Sequence, residues 1–411
     1  MFNNEHPDRA FTFATLDGIL VKAEVLIVGG GPVGLLLANL LGMEGVSCVL
    51  VEKRTAASPF SRAIGITPPS LAILRRLGLD QSLIAAGIRV EEAHVSNGRR
   101  TLGWVRFDSL PEPYRFILAI PQSETTRLLA ASLTQFPHVD YRTSVELVGL
   151  TQDAGGVHVE LRNHAARTED ELGAQFVVGC DGRCSTVREL GGFRYAHFHY
   201  RPQFVMADFD DQTGLGQQAH LFFTPRGSAE SFPLPGGQRR WIVLADISPE
   251  QVGTSYVARR VLALTGFDLT GARQFNQLHF QPERLLCVQY YDRRVVLCGD
   301  AAHVMSPIGG QGMNTGFADA QLLARVLIRA CRQGAPVEDL FREYEHHRRK
   351  AFRVAAARAA RGMWLGTRTG CRMSIWRDWL IESVLLRPPV ATRLPAYFAM
   401  LTIPQHAQAQ P

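Results

Sequence analysis

The stretch Val25-Leu26-Ile27-Val28-Gly29-Gly30-Gly31-Pro32-Val33-Gly34, followed about 20 residues later by Glu52, decides how this chain begins. Val25 to Val28 form a continuous apolar run, as expected of a strand buried on both faces of a parallel sheet. Gly29 permits a tight turn, Gly31 lets the backbone approach a pyrophosphate, and Gly34 allows helix and strand to pack closely. Pro32 and Val33 open an apolar helical stretch to Met43, whose N-terminus offers free NH groups and the positive dipole end to a phosphate. Cys48 to Val51 then read as a second buried strand, so the start is a βαβ unit. Glu52 at its end suits a ribose diol, and Lys53 follows directly.

Outward from this unit, Phe176 to Val178 and Val295 to Cys298 are further buried runs, each leading into an aspartate-glycine or glycine-aspartate pair. Two acidic residues therefore belong at strand ends, where α/β sheets hold ligands. Elsewhere the pattern alternates: Val157, Val159 and Leu161 share one face, and Trp241, Val243 and Ala245 another. Alternation predicts antiparallel strands with one covered face, hence a second, sheet-rich layer inserted between the ligand-binding pieces. From Phe317 the positions Leu322, Leu323, Val326, Leu327 and Ala330 predict a helix ending near Gly334, and an arginine-rich helix is expected from Val337 into the 360s. No internal repeat is visible.

The 411 residues, 46% hydrophobic and 20% charged, can fill two or three ordinary cores. A net charge of +6 comes almost wholly from scattered arginine, since lysine occurs only at positions 22, 53 and 350, and this argues against nucleic acid. Seven cysteines without CxxC spacing read as reduced, cytoplasmic thiols. The first twenty-odd residues carry Glu5, Asp8 and Asp17 and lack a basic start, so no secretory signal is expected, and no apolar run is long enough to span a bilayer.

Asp181-Gly182-Arg183-Cys184-Ser185-Thr186-Val187-Arg188 fits D-G-x-x-S-x-V-R. Gly299-Asp300-Ala301-Ala302-His303, followed by Pro307 and Gly309-Gly310-Gln311-Gly312-Met313-Asn314, fits a third motif. With all three in order, the sequence resembles the FAD-dependent aromatic hydroxylases, the flavoprotein monooxygenases related to para-hydroxybenzoate hydroxylase, over roughly residues 23 to 350. The resemblance implies an α/β fold: a Rossmann-like FAD-binding domain (23–95, 120–190 and 285–334), an inserted, mostly antiparallel substrate-binding sheet domain (96–119 and 191–284) and a C-terminal helical region (335–411), after an N-terminal extension (1–22).

It also implies roles. Asp300 resembles the carboxylate that binds the flavin ribityl chain. Gly310, Gly312, Met313 and Asn314 resemble the loop and helix start whose NH groups face the pyrimidine end of the ring, and Pro307 the proline at its oxygen-reactive edge. Arg62 resembles the arginine that reaches the pyrophosphate and Gln122 a ribityl contact, while Asp181 and Arg188 resemble a charged pair tied to FAD and nicotinamide use. No second glycine fingerprint follows a strand, so NADPH or NADH must visit the flavin across the surface.

The implied activity is NAD(P)H-consuming oxygenation of an aromatic or polyketide-like molecule with O2, delivered through a flavin hydroperoxide, with the protein supplying position and dryness. Hydroxylation, epoxidation and Baeyer-Villiger insertion stay open, as do the choice of monomer or homodimer. His220, Phe222 and Thr224 share a strand face, with Phe232 on the next hairpin strand; if that face looks toward the flavin, His220 is the candidate base. No metal and no membrane partner is expected. The C-terminal stripe Ile375, Trp376, Trp379, Leu380 and Leu385 is expected to pack on the flavin domain. A halogenase is disfavoured because Trp376 and Trp379 are three apart, outside a W-x-W-x-I-P segment. The alternatives are a flavoprotein that shields an intermediate without hydroxylating, and a membrane-associated quinone-ring hydroxylase. An added thioredoxin-like domain is not expected at this length.

Overall fold

A computed structural model describes residues 15–16, 19–56, 63–333 and 336–404. The expected N-terminal extension falls largely outside the described residues, and so does Arg62.

The first layer is a nine-stranded sheet. Ile19–Val28 pairs in parallel with Cys48–Glu52, which pairs in parallel with Val139–Thr143. Thr168–Gly179 changes partners along its length. Its first half lies antiparallel to Val157–Asn163, and its last residues, Val177 to Gly179, run between Ile19–Val28 and Val295–Leu297, parallel to both. Val25 to Ile27 and Val295 to Leu297 are fully buried, as strands covered on both faces require. The helix Pro32–Met43 covers one side with Leu35, Leu36 and Leu37, and helix Gln311–Gln333 lies against it with Phe317, Leu323 and Leu327 in the same core. Helix Val337–Gly366 follows, with Glu338 and Asp339 in its first turn, where negative charge suits the helix dipole. The alternating strand Val157–Asn163 thus extends the first sheet through an antiparallel meander and takes no part in a second layer.

The second layer is a seven-stranded sheet in the order Gln274–Phe280, Phe204–Asp210, Gln238–Leu244, Gly227–Leu234, Ala219–Thr224, Glu92–Ser96, Thr101–Arg106. Its pairings are antiparallel except that between Ala219–Thr224 and Glu92–Ser96. The expected boundary at residue 95/96 therefore cuts a strand of this sheet. At the other end of that segment, Ile117–Ala119 pairs with Gly65–Ile66 and Ile88–Val90 in a separate three-stranded sheet.

Successive residues of a strand point to opposite faces, so the two faces of the second sheet can be followed through the register. The outer face carries Val205, Ala207, Phe222, Ala229, Trp241 and Val243, buried under helix Tyr256–Thr265 by Tyr256, Val257, Val261 and Leu264. The inner face carries Phe204, Ile242 and Leu244 against Ile308 and Met363, and Phe232 against Val90 and Ala119.

The C-terminal stripe does not pack as expected. Helix Cys371–Leu380 buries Ser374 and Arg377, and Ile381 follows one turn on. Arg377 donates to the carbonyl oxygens of Phe223 and Arg368, so the helix docks on the second sheet through a buried guanidinium. Asn97 with Asp378, and Arg100 with Glu382, fasten the same edge. Ile375 and Trp379 are left 70% and 56% exposed. Hydrogen bonds to orphan carbonyls outweighed the apolar stripe in orienting this helix.

Candidate functional site

Because Ile19–Val28, Thr168–Gly179 and Val295–Leu297 are parallel neighbours, the loops after them lie side by side. The ladder continues into the loops: Cys180 N donates to Val28 O at 2.7 Å and Cys298 N to Gly179 O at 2.9 Å. A Cβ on Gly29 (φ +111°) would lie 2.5 Å from the Cys180 carbonyl oxygen, and one on Gly34 would lie 2.0 Å from Gly29 O. These two glycines are demanded by packing. Gly31, by contrast, has nothing within 4 Å of its would-be Cβ, which leaves open space before the helix N-terminus that begins at Pro32. Val33 turns the other way and fills the space beside Gly299 and Gly316, joining the first motif to the third.

Glu52 is buried at its strand end. Its Oε2 accepts from Gly30 N at 2.9 Å, and its Oε1 from Arg54 N and Nε. Burial works to raise its pKa, but the Arg54 and Gly30 donors outweigh that and hold the carboxyl below its ordinary range. The carboxylate has lone pairs to spare for ribose hydroxyls. Lys53 beside it is exposed.

In the second motif, Asp181 Oδ2 accepts from Val187 N at 3.0 Å, while Oδ1 is buried without a partner. Desolvation pushes the Asp181 pKa up, against hydrogen bonds from Ser185 and Val187. Arg188 is buried and donates to Ala301 O at 3.1 Å and Arg183 O at 2.6 Å. It is a strut between the second and third motifs.

In the third motif, Asp300 is exposed in the turn Gly299–Ala301. The turn is held from behind by Asp319, fully buried, which accepts from Gly299 N at 3.2 Å, from His303 Nε2 at 2.7 Å and from Arg348. Desolvation of Asp319 is outweighed by Arg348 and His303, so its pKa is lowered. His303 is thereby a support. Pro307 is exposed, and Gly309 and Gly310 take positive φ (+84° and +65°) to bring the chain round into helix Gln311–Gln333. Gly310 and Gly312 have nothing within 4 Å of a would-be Cβ, so here too the backbone faces open space. Gly312, Met313 and Asn314 are in the first helical turn, whose NH groups lack intrahelical acceptors. The Asn314 side chain is occupied: it accepts from Thr67 N and donates to Gly65 O and Gly310 O, each at 2.9 Å. Gln122 opens helix Gln122–Ser132 and accepts from Ala63 N at 3.4 Å.

The predicted substrate face is where sequence reasoning and structure part. His220, Phe222 and Thr224 lie on the outer face, with Phe222 under helix Tyr256–Thr265 and His220 beside His94, its Nε2 donating to Leu215 O at 3.3 Å. Burial above all holds the His220 pKa down, to about 4, against the Leu215 hydrogen bond. It faces away from Pro307 and Ile308 and is not placed to act as a base there. Phe232 does lie on the inner face. Two residues before it, on the same face, is Glu230, which the sequence reading passed over. The signal was available in the alternation of Ser228-Ala229-Glu230-Ser231-Phe232, which puts an acid in register with an aromatic. Among the described residues one trio could hold a metal, His197, His199 and Glu283, but its carboxylate is already bound by Arg183 at 2.8 Å and His197 at 2.7 Å.

The profile of the FAD binding domain family matches residues 22–359. The chain belongs to the FAD-dependent aromatic-hydroxylase family. Its cofactor is FAD, and the open backbone at Gly31, Gly310 and Gly312 and the unpaired Asp181 oxygen fit such a group. Among relatives, a rifampicin monooxygenase from Streptomyces venezuelae is 32% identical over 72% of this chain and 62% of its own length. A para-nitrophenol 4-monooxygenase from a Pseudomonas species is 30% identical over 82% of this chain and 84% of its own. The crystal structure of a p-nitrophenol 4-monooxygenase from Pseudomonas putida superposes with a TM-score of 0.85 at 25% identity, covering 93% of this chain and 99% of that one. The chain spans less than two thirds of the length of some relatives it matches, 62% for the rifampicin enzyme and 65% for a 3-(3-hydroxyphenyl)propionate hydroxylase of Mycobacterium avium. Among the described residues no helix is long and apolar enough to cross a membrane.

Proposed function

We propose that this protein is an NAD(P)H-consuming monooxygenase that hydroxylates, or otherwise oxygenates, an aromatic or polyketide-like small molecule. The observation that carries the reading is the adjacency of three strand ends facing the inner side of the second sheet across the Pro307–Gly310 turn. Bound FAD supplies the chemistry, taking hydride from NADPH or NADH and activating O2. The chain's own residues position it. Gly29, Gly31, Pro32, Val33 and Gly34 present the helix N-terminus to the pyrophosphate, and Glu52, with Lys53 alongside, takes the ribose. Asp300 and Gln122 hold the ribityl chain, with Asp181 at the shared strand end. The NH groups of Gly310, Gly312, Met313 and Asn314 would hold the flavin ring and stabilise negative charge on it, with Pro307 beside them in the same loop. Phe232 and its inner-face neighbours would keep water from the reacting ring.

Relatives named for p-nitrophenol and rifampicin support an aromatic substrate. Seven free cysteines suit a reducing cytoplasm, where NAD(P)H is supplied. The test is a screen of phenols for stimulated NAD(P)H oxidation coupled to a product heavier by one oxygen. Oxidation without such a product in every case sinks the reading. Asp300→Ala is expected to abolish FAD retention, read as loss of absorbance in the blue; a fully loaded, fully active variant contradicts the role given to Asp300.

A further inference from the structure

Glu230 stands midway along Gly227–Leu234, directly opposite Leu221 on one neighbouring strand and Ile242 on the other. Ile242 packs with Phe204 and Leu244 against Ile308, the residue after Pro307, and Phe232 closes the same face against Val90 and Ala119. The carboxyl group therefore lies on the face turned toward the Pro307–Gly310 turn, with an apolar side chain opposite it on each neighbouring strand. Among the described residues no hydrogen bond or ion pair reaches it. On that face the Arg240 guanidinium is held by Asp208 through both carboxylate oxygens, at 2.6 and 2.8 Å. Glu230 is half-buried, yet desolvation, with nothing opposing it, pushes its pKa up to about 7. By register, its exposed part lies on the face that carries Ile242 and Phe232. A half-buried carboxyl with no partner among apolar neighbours is a candidate for a ligand that completes it.

We propose that Glu230 is the substrate's polar anchor: it accepts the hydroxyl hydrogen of a phenol-type ring in the cleft and turns away rings bearing a carboxylate at that position. The proposal rests on the monooxygenase reading for its substrate class. An acceptor at the ring hydroxyl draws its proton toward the carboxylate and enriches the ring in electrons, which favours attack on activated oxygen. A carboxylate in the same place would set two like charges together in a site with little water.

The test, at about pH 8 where the carboxyl is mostly ionised, uses the FAD-loaded protein and three probes that differ at one ring position: p-cresol, its methyl ether and 4-methylbenzoate. Binding is read from the perturbation of flavin absorbance. The wild type is expected to bind the phenol at least about tenfold more tightly than the other two, the worth of a hydrogen bond to a charged group. In Glu230→Leu the preference over the ether should collapse to within about twofold, and in Glu230→Gln the benzoate should gain affinity. FAD content and a melting curve confirm that each variant has folded. An unchanged phenol preference in folded variants overturns the proposal, as does a wild type that fails to favour the phenol or binds none of the three. Should neither variant load FAD, the wild-type ordering decides alone. The expected binding pattern without any oxygenated product would refute the enzyme reading while leaving Glu230 as a phenol anchor.

Discussion

The two faces of the seven-stranded sheet carry one displaced ionisable group each, and the same desolvation moves them in opposite directions. On the outer face burial holds His220 to a pKa of about 4; on the inner face it lifts Glu230 to about 7. Both changes favour the neutral form. The difference lies in the surroundings. His220 has a carbonyl partner and His94 alongside, on a face sealed by helix Tyr256–Thr265, whereas Glu230 has no partner among the described residues and lies on the face that meets Ile308. A buried group that is already satisfied is scaffold, and one left unsatisfied awaits something.

Replacing the scaffold should have the largest effect. Trp241, fully buried at the centre of the outer face, should cost about 3–5 kcal/mol on Trp241→Ala. Denaturant unfolding would measure this, and the folded fraction should keep its ordering of phenol, ether and benzoate. A changed ordering would mean that the two faces are not separable.

Next in size is the pH slope from Glu230. Its folded pKa is raised from 4.5 to about 7, so the fold binds this proton more tightly than the unfolded chain. Its contribution is complete below pH 4.5 and is lost as pH rises to 7. Glu230→Gln should flatten melting temperature over that window, a change of about 3 kcal/mol. A slope identical to the wild type would place the carboxyl in water.

An effect of similar size and opposite sign is expected from His220. Its folded pKa lies below the ordinary 6.5, so stability is lost as pH falls from 6.5 toward 4. His220→Gln should lessen that acid loss and leave product formation near neutral pH unaltered. A loss of turnover with FAD still bound would return His220 to the site.

The nucleotide-binding half was legible because its requirements are local. Gly29 and Gly34 are forced by contacts under 3 Å, the flanking strands are apolar on both faces, and the acids at 52, 181 and 300 each stand beside a strand end. Even there some roles needed the structure: Arg188 and His303 are motif residues that brace backbone and Asp319, and the Asn314 side chain is spent on Thr67, Gly65 and Gly310. The substrate half was half-legible. Alternation correctly grouped His220 with Phe222 and Thr224, but it left open which side that group faces, and Glu230 was passed over. The exposed tryptophan stripe of helix Cys371–Leu380 was misread because its buried guanidinium, Arg377, finds its acceptors on residues far away in sequence.

By itself, then, the sequence determined the parallel strands, the turns at their ends and the cofactor they cradle, since backbone geometry and apolar runs are written within a few residues. Which side of the second sheet meets that cofactor was decided only when Tyr256–Thr265 covered one face and Ile308 and Met363 met the other. A period of two makes the faces of a strand equivalent, and only a neighbouring layer breaks the tie.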